Sequence, residues 1–139
     1  MATLIRPDIS GKNKYWIEKH RHYELKHFCL QYPLWKKLYS EIDGLNRHAQ
    51  DQFIFSKTNS VTDKTSKYAE DRLNYFNKMK LVEQAAIDAD PELANYILKG
   101  VTEGLSYPYL KSKLEIPCSR DTYYNRYRRF FWLLNNSRD

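Results

Sequence analysis

Thr122, Asn125, Arg126 and Arg129 are the side chains of this chain best suited to reading another molecule. At about 100° per residue they fall on one arc of a helix, opposite an arc holding Tyr124, Tyr127, Phe131 and Leu134. Arginine forms bidentate hydrogen bonds to the edge of guanine, asparagine does so to adenine, and threonine can touch a thymine methyl or a phosphate. Arg120, Arg128, Lys111 and Lys113 lie nearby and suit phosphate oxygens, which ask only for positive charge and reach. The same pattern is also that of an ordinary solvated basic face, so its neighbours in sequence must decide.

Those neighbours read as a short helix over 107–114, a turn, and a longer helix from Arg120 to about Leu134. Ser106 and Ser119 precede the two helices as N-caps. Pro117 forbids a continuous helix, and Ile116 offers an apolar plug for the junction. A short helix, a tight turn with a buried aliphatic and a capped longer helix make the pattern of a helix-turn-helix. Before it, Asp90 and Pro91 are placed to start a helix over 92–102, which Gly104 ends.

Charge distribution favours the same region. The 139 residues carry 23 basic and 17 acidic side chains, a net charge of +6. Residues 106–139 hold seven basic and three acidic side chains, whereas residues 81–105 hold one and five. An acidic stretch, with Glu83, Asp88, Asp90, Glu92 and Glu103, thus precedes a basic end, and a polyanion is expected to meet the latter.

The rest of the chain reads as helical but less regular. Residues 1–13 are expected to be a flexible arm. Residues 14–45 are expected to form a helical hairpin, its first helix presenting Trp16, His20, Tyr23, His27 and Leu30, widened by Ile17, Leu25 and Phe28. Pro33 separates this helix from a second over 34–42, closed by Gly44. Residues 46–65 lack periodicity and are rich in Asn, Asp, Ser and Thr, so a loop or linker is expected, with Phe53, Ile54 and Phe55 as an anchor or short strand. Helix resumes over 66–89 and opens a helical domain that continues to residue 139. The fold class is therefore all-α: helical arm or hairpin, flexible loop, long helix and carboxyl-terminal helix-turn-helix. Aromatic residues at 15% of the chain argue against disorder, and four glycines with five prolines argue against a turn-rich β barrel.

Other chemistries find less support. His20, His22, His27 and Cys29 cluster in sequence, but His20 and His27 stand about 10 Å apart along a helix axis and His22 points elsewhere, a poor geometry for four metal ligands. Cys29 and Cys118 are unpaired by motif, and there is no glycine-rich phosphate loop or nucleophile elbow. No catalytic residue, metal or cofactor is expected, and the chain is not read as an enzyme. No apolar run approaches the roughly 20 residues of a membrane span, and the first residues lack the apolar stretch of a signal peptide. A cytoplasmic location is expected.

Three segments together resemble the phage late-gene transcriptional activators of the RinA and ArpU type, whose carboxyl-terminal part is similar to region 4 of a sigma factor. ELKHFCLQYPLWKKLYSEI resembles the family's helix, Tyr-Pro pair and second helix; NSVTDKTSKYAE resembles its mid-chain loop and helix. LKSKLEIPCSRDTYYNRYRRFFWLL resembles its paired-leucine helix, Ile-containing turn, Ser cap and basic recognition helix. The turn departs from the pattern, Ile-Pro-Cys-Ser being longer than Ile-Ser, and the aromatic run is heavy enough to leave Trp132 and Leu133 for a partner. The resemblance implies a transcriptional regulator in a bacterial host cell that binds double-stranded promoter DNA and RNA polymerase. The alternatives are a phage terminase small subunit and a protein-only adaptor that binds polymerase or a host factor. The amino-terminal helices are left for a homodimer or polymerase contact through Trp16, Tyr23 and Leu30, or for a second nucleic-acid surface through Lys14, Lys19, Arg21 and Lys26.

Overall fold

Helix breakers, caps and the positions of small and bulky apolar residues divide the described residues into six helices in the computed structural model: α1 (Lys19–Leu30), α2 (Tyr32–Phe53), α3 (Asn59–Ala89), α4 (Ala94–Glu103), α5 (Tyr107–Leu114) and α6 (Arg120–Arg138). The structure describes residues 13–53 and 59–138, and side chains among them outside 43–65. The protein is all-helical, with no strand among the described residues. No helix among them is long and apolar enough to cross a membrane.

The chain forms two compact units, one made of residues 1–32 and 81–139, the other of residues 33–80. This redraws the expected division into 14–45, 46–65 and 66–139, because α1 belongs with the carboxyl-terminal helices and not with its neighbour α2. The reason lies in which face of α1 is buried. His22, Leu25, Phe28 and Cys29 are inside, whereas Tyr23 and Leu30 are exposed, and so is Trp16, which precedes the helix. Both faces share the spacing of three and four. The inner face buries one imidazole, His22, edge-on to the rings of Tyr127 and Phe131, while the opposite face, with two histidines and a tyrosine, would need a partner for each polar tip.

The expected start of this helix at Lys14 also shifts. Residues 13–15 form a turn in which Asn13 accepts from the backbone N–H groups of Tyr15 (2.8 Å, through Oδ1) and Trp16 (3.0 Å, through its carbonyl). Glu18 caps α1, its carboxylate accepting from Arg21 N–H at 3.0 Å. The N–H groups of Arg21 and His20 hold that carboxyl below its ordinary value.

Further along, α2 runs through Gly44 to Phe53 and α3 begins at Asn59, so most of the expected 46–65 loop is helix. Glycine in a helix interior costs about 1 kcal/mol relative to alanine, which weakens a helix without ending it. Apolar periodicity is one signal of a helix, and its absence does not exclude one. Ile54 and Phe55, and the 1–12 portion of the expected arm, lie outside the described residues. In the second unit, Tyr39 of α2 meets Phe76 of α3 (ring centroids 6.2 Å), while Lys78 stands over the ring of buried Trp35 at 5.7 Å. Positions rising along α2 thus meet positions falling along α3, and the helices are antiparallel.

In the first unit α4 is central, packing on α1, α5 and α6, while α1 also packs on α6. The last turns of α3 add small buried residues, Val82, Ala85, Ala86 and Ala89. Asp90 Oδ1 then accepts from the N–H groups of Glu92 (3.0 Å) and Leu93 (3.3 Å), so it caps the turn through Pro91 and α4 starts at Ala94, two residues after the expected 92. Gly104 ends α4 in the left-handed region at φ 69°, as a C-terminal glycine should. Thr102, though buried, donates to the carbonyl of Leu98 at 2.6 Å and costs little.

Gly100 permits the closest approach in this unit. A Cβ there would lie 2.3 Å from the Tyr123 hydroxyl but 3.5 Å from that ring's Cζ. Tyr123 is 1% exposed, and its hydroxyl is buried without a hydrogen-bond partner. Gly100→Ala is therefore expected to lower stability by about 1–3 kcal/mol, the range for overpacking a core. Adding Tyr123→Phe should recover most of that loss, and Tyr123→Phe alone should be nearly neutral. Urea unfolding of the three variants measures the cycle.

Candidate nucleic-acid interface

α5 and α6 are set by local chemistry that the sequence displays openly. Ser106 Oγ accepts from Tyr109 N–H at 3.4 Å, and Pro108 stands in the first turn of α5, where a missing N–H does no harm. Glu115 ends the helix in the left-handed region (φ 54°). Ile116, fully buried, returns its N–H to the Leu110 carbonyl at 3.2 Å. The turn is tied across by Tyr107, whose hydroxyl donates to the Cys118 carbonyl at 2.6 Å. Ser119 Oγ accepts from Thr122 N–H at 3.2 Å and starts α6.

Burial along α6 departs from the expected arc. Tyr127, Phe131 and Leu134 are buried as expected, Tyr124 is only half-buried, and Tyr123 and Phe130 are fully buried. The arc widens because α6 is covered from two sides. Tyr123 lies on α4, while Arg21 of α1 donates to Asn135 at 2.6 Å and Arg138 sits 4.0 Å over the ring of Phe28. Thr122, Asn125 and Arg129 point opposite this core, but all three are half-buried, as is Arg126. Lys111, Lys113 and Arg120 are exposed, and Arg128 is half-buried.

Each expected reading residue has a structural engagement. The Thr122 hydroxyl accepts from Ser119 Oγ at 3.0 Å. Asn125 accepts from Arg126 Nη1 at 2.6 Å, and Arg126 Nε donates to Asp90 Oδ2 at 3.0 Å. Arg129 Nη1 donates to the Tyr15 hydroxyl at 3.4 Å, and Arg120 stacks 5.6 Å from the Tyr124 ring. The acidic stretch therefore meets the basic end inside one unit, through Asp90 and Arg126. Sequence reasoning missed that pair because its members are 36 residues apart. It also missed Tyr15, whose Lys14 and Tyr15 side chains form a cation–π contact at 5.0 Å.

Positive charge remains after these pairings. Among the described residues Arg128 and Arg129 form no ion pair, and the Nε of each is buried without a hydrogen-bond partner. Lys111 and Lys113 project from the last turn of α5, where the helix dipole favours cations.

The histidines do not converge. His22 is buried against Phe131, ring centroids 4.8 Å apart, while His20 and His27 are exposed. Among the described residues no group of three or more His, Cys, Asp or Glu side chains stands close enough to hold a metal ion. Burial pushes the Cys29 thiol well up; burial, and then the nearby Asp90 charge, push Cys118 up. Neither thiol is activated toward the thiolate that nucleophilic chemistry requires. In the second unit, Tyr39, Ala69, Arg72, Leu73 and Phe76 line a groove of about 440 Å³, with the Arg72 guanidinium 4.8 Å over the Tyr39 ring.

No protein-family model, curated protein or solved structure matches the chain.

Asp90 has two tasks, and they can be separated. Asp90→Asn keeps the Oδ1 acceptor and removes the charge. Arg126 is 37% exposed, so the lost ion pair should cost less than about 1 kcal/mol. Asp90→Ala loses the cap as well and should cost about 1–2 kcal/mol. Thermal unfolding of both variants tests the separation.

Proposed function

We propose that the chain is a sequence-specific DNA-binding transcriptional regulator, phage-encoded and of the late-gene activator type, which docks α5 and α6 on duplex DNA as a helix-turn-helix and contacts RNA polymerase elsewhere. The observation that carries this reading is the arrangement of α5, the Ile116 turn and α6, both helices capped by serine, with Thr122, Asn125 and Arg129 opposite the core and Lys111, Lys113 and Arg120 exposed around them. On this reading Thr122, Asn125, Arg126 and Arg129 approach base edges, and Arg120, Arg128, Lys111 and Lys113 meet phosphates.

Arg126 then has two competing partners, a base edge and Asp90. Their exchange explains how an arginine tied to an acid can still read DNA: the pair is partly exposed, and a bidentate guanine contact replaces one charge-assisted bond with two. Asp90 also screens Arg126 from random phosphates, which favours discrimination over tightness.

A second reading, a protein-only adaptor or a homodimer, draws on exposed apolar side chains. Tyr23 and Leu30 lie on one face of α1, and Leu34, Leu73 and Phe76 are exposed in the second unit. These surfaces suit a polymerase contact or self-association beside the DNA reading. They replace it only if no duplex is bound. A terminase small subunit would instead assemble as a ring, which light scattering distinguishes from a monomer or dimer.

Selection of bound sequences from random duplex DNA should return a defined site. Against that site, Arg126→Ala should reduce discrimination over random DNA by about 1–3 kcal/mol, while Lys113→Ala should weaken both nearly equally and flatten the salt dependence by about one unit of slope. Asp90→Asn should raise affinity for random DNA more than for the selected site. Helical circular dichroism unchanged in each variant separates these effects from unfolding. Absence of binding at low salt, or binding that does not fall with rising salt, overturns the proposal.

A further inference from the structure

Two cations meet Tyr15, one at its hydroxyl and one at its ring. Arg129 Nη1 reaches its hydroxyl from α6 at 3.4 Å, and the Lys14 ammonium lies 5.0 Å from the ring centroid. The bond from Arg129 is long for an N–H···O contact, so a guanidinium with five donors is held here by one weak acceptor. Its Nε is buried without a partner. Among the described residues neither Lys14 nor Arg129 forms an ion pair. The acid nearest in sequence, Glu18, is turned to the start of α1, where it accepts from Arg21 N–H.

The spot is held in place from several directions. Tyr15 is 7% exposed and its ring meets Trp132 at 5.7 Å. The turn that presents it is fixed by Asn13, and Ile17 beyond it is buried. Lys14 is exposed, so the cationic side opens to solvent. Burial alone would raise the Tyr15 phenol, yet the neighbouring Arg129 and Lys14 cations outweigh it and bring the phenol below its ordinary value.

We propose that Lys14, Tyr15 and Arg129 form a notch for a phosphate oxyanion, occupied by a backbone phosphate of bound DNA, so that Arg129 serves the backbone and the base edges are left to Thr122, Asn125 and Arg126. Arg129 and Lys14 supply charge, and the Tyr15 hydroxyl rotates from acceptor to donor toward the phosphate oxygen. Arg129 lies seven residues beyond Thr122, about 10 Å along α6, so the notch extends the α5–α6 surface onto the amino-terminal turn. That the phosphate belongs to DNA rests on the proposed function; the notch itself rests on the three side chains.

Lys14→Ala and Tyr15→Phe test it in the full chain, with helical circular dichroism as a check on folding. On duplex DNA, Lys14→Ala should flatten the salt dependence by about one unit of slope, and Tyr15→Phe should weaken binding roughly two- to tenfold. Preference among DNA sequences should not change in either. Wild-type binding with neither variant altering affinity or slope overturns the notch and leaves the α5–α6 reading standing. If the wild type binds no duplex, the DNA reading fails and inorganic phosphate decides the notch, titrated at constant ionic strength while tryptophan fluorescence reports from Trp132. A saturable change in the wild type that is lost in Lys14→Ala supports an oxyanion site for free phosphate; an equal response in both chains, or none, overturns it.

Discussion

The contact between Tyr123 and Gly100 governs how the carboxyl-terminal unit is assembled. Only a residue without a Cβ lets the Tyr123 hydroxyl lie against α4, and the hydroxyl gains no hydrogen bond in return. Tyr123 in turn meets Tyr107 (5.9 Å), Tyr124 (5.1 Å) and Tyr127 (6.1 Å), so the ring joins the start of α5 to the first turns of α6. Once α6 lies on α4 at this point, its rotation is fixed. Phe130, Phe131 and Leu134 follow into the core, and Thr122, Asn125 and Arg129 face away from it. The orientation of the candidate recognition side chains is a consequence of core packing.

Electrostatics then sorts the basic side chains that this rotation presents. Arg126 is neutralised by Asp90, a partner drawn from the acidic stretch that precedes α4. Arg128, Arg129 and Lys14 have no such partner among the described residues, and Lys111, Lys113 and Arg120 are exposed. On α5 and α6, Arg126 is thus the one cation with an ion pair among the described residues, beside several cations without one. That arrangement suits a surface on which phosphates attract without selectivity while one arginine must be displaced before it reads. The net charge of +6 describes neither part of it.

Local signals were legible in the sequence, and long-range ones were not. Ser106, Gly104, Pro117 and Ser119 marked the ends of α4, α5 and α6 because caps and breakers act within a few residues of themselves. The bounds of α5 follow directly from them. Both sides of α1 carry a spacing of three and four; packing on α4 and α6 buries Leu25, Phe28 and Cys29 and leaves Tyr23 and Leu30, which the sequence assigns to a partner, exposed. The polar 46–65 stretch reads as a loop because helix is recognised in a sequence by apolar periodicity, which Asn, Asp, Ser and Thr do not supply. Asp90 with Arg126, and Tyr15 with Arg129, join residues 36 and 114 positions apart, and no periodicity carries such pairs. The candidate site was found through its residue types, whereas its internal engagements required the fold.

The central claim is that duplex DNA lies across α5, α6 and the turn at Tyr15. Backbone amide NMR spectra of the full chain, recorded while a random-sequence duplex is added at low salt, test it most directly. The account predicts shifts concentrated over residues 107–129 and at Lys14 and Tyr15, reversed by added salt. Shifts confined to α2 and α3, or none at all, would contradict it.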